Sequence, residues 1–168
     1  MCRLRVEANN RYGGLNYDER RLVSLFEYLA DWRPCEPPGG LGTFSELSGD
    51  LSVAFLDDAE LARIHADFLD NPAPTDVITF PGDPADGSAG EICVSAERAE
   101  VEAGSRGEPF FRELTLYLVH GWLHLVGFDD LEEPTRVAMR RAEAETLFAL
   151  EEAGLFPDFH LAAPSCAE

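Results

Sequence analysis

The sequence predicts an α+β protein: a small mixed β-sheet with helices packed on it, and a central buried helix among them. Three observations carry this reading. Short β-rich runs and amphipathic helical runs mix without strict alternation, which argues against a regular α/β unit. The segment "PFFRELTLYLVHGWLHLV", Pro109 to Val126, is apolar around most of its circumference, as an innermost helix would be. The chain has 168 residues, enough for one core and short for two. We therefore expect a single domain over 1–152 and a C-terminal tail over 153–168.

Taken in order, "RLRVEAN" (Arg3 to Asn9) places Leu4 and Val6 on one side of a strand and Arg3, Arg5 and Glu7 on the other. "DERRLVSLFEYLADW" (Asp18 to Trp32) sets Leu22, Leu25, Phe26 and Leu29 at helical spacing behind a capping aspartate. Arg33 to Gly42 is too rich in Pro and Gly to continue that helix and reads as a loop. "LSVAFLDD" (Leu51 to Asp58) is a short strand whose aspartates can cap the helix Ala59 to Leu69. "TDVITF" (Thr75 to Phe80) and "GEICVS" (Gly90 to Ser95) are two further strands joined by a turn-rich decapeptide, a hairpin or neighbouring pair. A third helix starts near Ser95. The apolar helix from Pro109 follows, opening with a proline suited to a first helical turn. An amphipathic helix over Glu133 to Glu152 closes the fold. No internal repeat is visible.

Composition excludes several functions. No apolar run approaches the roughly 20 residues needed to cross a bilayer, and the start lacks a secretory signal, so a cytoplasmic location is expected. Cys2, Cys35, Cys93 and Cys166 are scattered without a C-x-x-C pair, which offers neither a disulfide framework nor a thiolate zinc site. The net charge is −19, and all 13 basic residues are arginine. Such a field repels polyanions at long range, so any nucleic-acid function must rest on a local cleft or a partner.

The stretch "LVHGWLHLVGFDD", Leu118 to Asp130, carries the chemistry. On a helix, residues four apart share a face, so His120 and His124 can reach one ion. Gly127 can take a positive φ, end the helix in a reversal and return Asp130 as a third ligand. Three protein donors leave a position for water, the arrangement of a catalytic metal. With four histidines in the chain, chance supplies a pair at this spacing about 0.09 times, before the glycine and the acid are required. The competing reading is two core histidines, each of which would then need its own buried partner. Position 121 is Gly, so the helix-borne base of an H-E-x-x-H zinc protease is absent.

"LSVAFLDDAELARIHADFL", "PTDVITFP", "GEICVSAERA" and "LVHGWLHLVGFDD", in this order and spacing, resemble the YbeY family of bacterial ribosomal-RNA maturation endoribonucleases. The resemblance implies a metal-dependent hydrolase with one zinc ion (Zn2+) held by three side chains. It further implies a single-strand-specific endoribonuclease acting on ribosomal RNA in the small subunit, at the 16S rRNA 3′ end, and in ribosome quality control. It leaves the general base unassigned. His120 and His124 fall on the family's histidines, and Asp130 stands where the family usually has a third. Carboxylate is an acceptable zinc ligand, but it partly neutralises the ion and shifts preference toward harder metals. Leu69 stands where the family usually carries an arginine, so a cation expected to steady phosphate is missing.

The leading expectation is a zinc-dependent endoribonuclease with water as nucleophile, whose partners are ribosomal RNA, the small ribosomal subunit and ribosomal or assembly proteins, with no membrane. The alternative is a ribosome-associated assembly factor with a structural metal and weak or no nuclease activity. A more remote reading is a two-histidine, one-carboxylate iron oxygenase. Asp129 is either a support for a ligand or a turn carboxylate. Thr75, Asp76 and Thr79 are candidates to line a cleft beside the metal helix. Arg136, Arg140 and Arg141 can bind phosphate, although interleaving with Glu143 and Glu145 fits a solvated face better. Arg3 and Arg5 are a further candidate RNA contact. His65 reads as a surface histidine and His160 as incidental.

Overall fold

A computed structural model describes residues 4–34, 46–70 and 75–163. Along the chain run β1 (Leu4–Asn10), β2 (Leu15–Asn16), α1 (Glu19–Asp31), β3 (Gly49–Leu56), α2 (Asp58–Leu69) and β4 (Val77–Pro81). A 3-10 turn at Pro84–Asp86 precedes β5 (Ser88–Ser95), α3 (Ala96–Arg106), α4 (Phe110–Leu125), α5 (Glu133–Glu152) and β6 (His160–Leu161). The main sheet has the order β1-β3-β5-β4. β1, β3 and β5 are parallel neighbours, and β4 pairs antiparallel with β5 as the expected hairpin.

Helix ends follow their side chains. Asp18 accepts from the Arg20 N–H, Asp57 from Glu60 and Ser95 from Arg98, each satisfying an otherwise orphaned donor at a helix start. Pro109 differs from the expectation: it is the N-cap of α4 rather than a residue of its first turn, and gives no side-chain cap. The Pro- and Gly-rich loop expected over 33–42 lies mostly outside the described residues.

Strand parity divides the interior. Leu51, Val53, Phe55, Ile92 and Val94 face the main core with α1 and α4. Ala54, Leu56, Ile78 and Cys93 face the opposite side and pack with Leu61 of α2. β3 is thus buried on both faces, which explains why its sequence reads as a nearly continuous apolar run. The innermost helix is α4, with Leu114, Leu118, Val119, Trp122 and Leu123 almost fully buried. Its approach to the sheet requires Gly121. A Cβ there would lie 2.7 Å from Ile92 Cγ2 and 3.2 Å from Thr79 Cγ2 and Val77 Cγ1. The residue that removes the protease-type glutamate is therefore a packing contact of the metal helix.

Residues 153–163, expected as part of a tail, pack back onto the domain. Gly154 (φ 66°) ends α5, with Leu155 N–H donating to Leu150 O. Beyond it, β6 pairs antiparallel with β2, and Phe159 is buried edge-on against Tyr17 and Phe55, with ring centroids 5.5 Å away in each case. Phe156, Phe159 and Leu161 are the apolar residues that a polar tail would lack. Among the described residues no helix is long and apolar enough to cross a membrane.

Candidate metal centre

α4 delivers the two histidines one turn apart, and the turn after it delivers the acid. The helix ends in a two-bond reversal: Phe128 N–H donates to Leu123 O (2.9 Å) and Gly127 N–H to His124 O (3.1 Å). Gly127 has φ 115°, a value that L side chains rarely adopt. Asp129 Oδ1 then accepts from the backbone N–H groups of Asp130 (2.8 Å) and Leu131 (3.3 Å). Asp129 therefore shapes the turn that carries Asp130 through its Oδ1.

His120, His124 and Asp130 come together, with one donor atom from each lying within 4.8 Å of the other two. His120 Nε2 and His124 Nε2 are 3.0 Å apart, and each lies 3.6 Å from an Asp130 oxygen. The opposite ring nitrogens fix the tautomers. His120 Nδ1–H donates to Glu143 Oε1 at 2.6 Å, and His124 Nδ1–H to the Phe128 carbonyl at 3.1 Å. A carboxylate and a carbonyl only accept, so each neutral ring carries its proton on Nδ1 and points an Nε2 lone pair at the other. Two lone pairs and a carboxylate at one point repel unless a cation lies among them. The chemistry of the donor set therefore fits a divalent ion, with the outer ring nitrogens oriented as metal-bound histidines require.

The same electrostatics governs protons. Burial lowers the basicity of His120, but the hydrogen bond and charge of Glu143, with Asp130 and Asp76, outweigh it and raise its pKa. His124 is lowered, by burial first and then by the neighbouring His120, against the opposing pull of Asp130. The pair accepts one positive charge readily and resists a second.

A cleft of about 650 Å³ opens beside His120 and Asp130. α4 contributes Glu113, Leu116 and Tyr117 to it, and Thr75 and Asp76 line it as the sequence anticipated. Thr79 instead lies against α4 at Gly121. Glu113 is buried, and desolvation raises its carboxyl pKa against the opposing pull of Arg106 and a Tyr117 hydrogen bond. Four arginines also face the cleft: Arg98, Arg106, Arg136 and Arg140. The same lining carries five carboxylates, Asp76, Glu102, Glu113, Asp130 and Glu143, so in this −19 chain the arginines balance acid locally beside the three donors.

Other sequence candidates lie elsewhere. Arg5 pairs with Asp50 at 2.6 Å between exposed positions of β1 and β3, and Arg3 lies outside the described residues. Arg141 pairs with Glu145 at 2.9 Å. His160 Nδ1–H donates to Asp158 O, and neither it nor His65 joins a metal-ligand group among the described residues. Leu69 is exposed at the end of α2. The sequence reading missed Glu143 as the partner of His120. Its only local signal is a carboxylate flanking the buried α5 stripe of Met139, Ala142 and Thr146.

A model of the family described as Endoribonuclease YbeY matches residues 41–151. The chain belongs to this family. It is 32% identical over 158 residues to the Endoribonuclease YbeY of Acidothermus cellulolyticus, covering 86% of this chain and 90% of that protein. The protein of the same description from Protochlamydia amoebophila is 38% identical over 111 residues, covering 64% of this chain and 74% of its own length. The solution structure of TM1509 from Thermotoga maritima superposes with a TM-score of 0.50 and 21% identity, covering 90% of this chain and 94% of that one. This last likeness bears on the fold alone, and there it agrees with the α+β architecture expected for the YbeY family.

Proposed function

We propose that the protein is a metal-dependent endoribonuclease of single-stranded RNA, that its ion is zinc, and that it works on ribosomal RNA in the maturation of the small subunit. The observation that carries the metal is the convergence of two Nε2 atoms, 3.0 Å apart, with the Asp130 carboxylate. Family membership supports the substrate class, since the relatives are described as endoribonucleases.

His120, His124 and Asp130 would hold the ion, which when bound supplies Lewis acidity at a phosphoryl oxygen and acidifies a water molecule. The chain's own residues do the rest. Glu143 and the Phe128 carbonyl keep both rings in the tautomer that presents Nε2. Three protein donors leave room for water and substrate oxygen. Asp130 brings a negative charge that softens the acidification relative to a neutral third ligand. The arginines of the cleft counter its own carboxylates and so reduce the local repulsion of an incoming phosphodiester backbone.

The test pairs metal analysis of purified protein with cleavage of a labelled single-stranded RNA by wild type, His120→Ala and His124→Ala. The expected result is about one zinc per chain in wild type, and loss of both metal and cleavage in each variant. Metal content unaffected by both substitutions, or equal cleavage by all three proteins, would overturn the reading. Iron as the retained metal, with oxygen uptake, would favour the oxygenase alternative. Association with the small subunit by a protein without turnover would favour the assembly-factor alternative.

A further inference from the structure

Three of the four arginines that face the cleft are already engaged. Arg98 bonds Asp58 at 2.7 Å, Arg106 bonds Glu102 at 3.1 Å and Glu113 at 3.2 Å, and Arg136 bonds Glu133 at 3.0 Å. Arg140 lines the same cleft and forms no ion pair among the described residues. The nearest carboxylate on its own helix face, Glu143, is committed to His120.

We propose that Arg140 anchors a backbone phosphate of the bound RNA strand, a phosphate other than the one presented to His120, His124 and Asp130. This rests on the nuclease reading above and names the positioning residue of that site. An arginine that must release a carboxylate before binding phosphate gains little from the exchange, whereas Arg140 gains a full charge-assisted, bidentate contact. Arg140 precedes Glu143 by three residues, about 4.5 Å along the axis. Glu143 stands on the Nδ1 side of His120, away from the point where the Nε2 atoms meet. We assign the Arg140 phosphate to a place beside the metal group because Glu143, its neighbour on one face of α5, approaches His120 from the Nδ1 side. Among the four arginines and five carboxylates of this lining, the arginine that forms no ion pair among the described residues also sets where along the cleft a polyanion can rest.

The test compares zinc-loaded wild type, Arg140→Ala, Arg140→Lys and Arg20→Ala, the last removing the same charge from an exposed position on α1. A labelled single-stranded RNA is titrated by anisotropy between about 50 and 200 mM salt, and its cleavage is followed in parallel. For Arg140→Ala we expect affinity lower by about 5- to 10-fold and a salt slope smaller by about 0.7, with Lys restoring the slope. KM should rise by about the same factor while kcat stays within about two-fold, the signature of a contact made equally in ground and transition states. An Arg140→Ala protein that matches wild type and Arg20→Ala in affinity and slope overturns the anchor, and the nuclease reading survives if RNA is still cut. A fall in kcat with KM unchanged also overturns it, placing Arg140 on the reacting phosphate. If wild type binds RNA without cutting it and the slope still drops in Arg140→Ala, the anchor stands and the nuclease reading falls.

Discussion

Helices α4 and α5 meet at the same cleft and contribute to it in opposite ways. α4 is buried around most of its surface and presents His120 and His124 from a rigid, sheet-packed stem. α5 is polar and largely exposed, and contributes Glu143, Arg136 and Arg140 from its margin. The two histidines of the candidate site come from the helix whose position is fixed by packing, and the carboxylate that holds one of them comes from the more exposed helix. The difference teaches that placement and adjustment of a candidate metal site can be assigned to separate elements.

That division predicts a graded series. Substituting His120 or His124 on α4 should abolish stoichiometric metal retention, measured by elemental analysis, because each removes one of the three donors that converge among the described residues. Glu143→Ala on α5 should leave a metal site but weaken its affinity by about 10- to 100-fold, measured by competition with a chromophoric chelator. Equal losses from the two helices would erase the distinction.

Acid should act through α4 as tuned by α5. The pKa of His120 is raised above the ordinary histidine value of 6.5 and that of His124 is lowered below it. Protons compete with the ion for Nε2, so apparent zinc affinity should be flat at high pH. It should fall about tenfold per unit as pH drops through the raised His120 value, and more steeply only below the lowered His124 value. In Glu143→Ala the Glu143 contribution that raises His120 is gone, and the first fall should move to lower pH. An unchanged profile in that variant would uncouple the two helices.

The smallest effect belongs to the connecting turn. Asp129→Ala removes two backbone contacts at an exposed site and should cost about 1 kcal/mol in urea denaturation. Metal affinity should change by less than about tenfold. A loss as large as that of His124→Ala would make Asp129 a ligand.

What the sequence disclosed follows the same line. The H-x-x-x-H-x-x-G-x-x-D unit is local, so helical periodicity and the positive φ of Gly127 suffice to bring its three donors together. The capping aspartates and the buried stripe of α1 are legible for the same reason. Glu143 was not, since it meets His120 across 23 residues of chain, and a carboxylate on a polar helix looks the same whether it faces water or a ring nitrogen. Arg140 is named with Arg136 and Arg141 as a phosphate candidate, but the sequence does not tell the three apart. Its neighbours in sequence describe a solvated face, and only the packing of α5 on α4 turns that margin toward the cleft. The pairing of residues 160–161 with β2 is not legible in the sequence because the apolar residues there are spaced too irregularly to announce a strand, and β2 itself has only two residues.

The most direct measurement is a crystal structure of zinc-loaded protein with anomalous data at the metal edge. A single peak about 2.0 to 2.2 Å from His120 Nε2, His124 Nε2 and an Asp130 oxygen, with Glu143 still on His120 Nδ1, is the predicted result. A peak elsewhere, or one bound through Nδ1 of either ring, would contradict it.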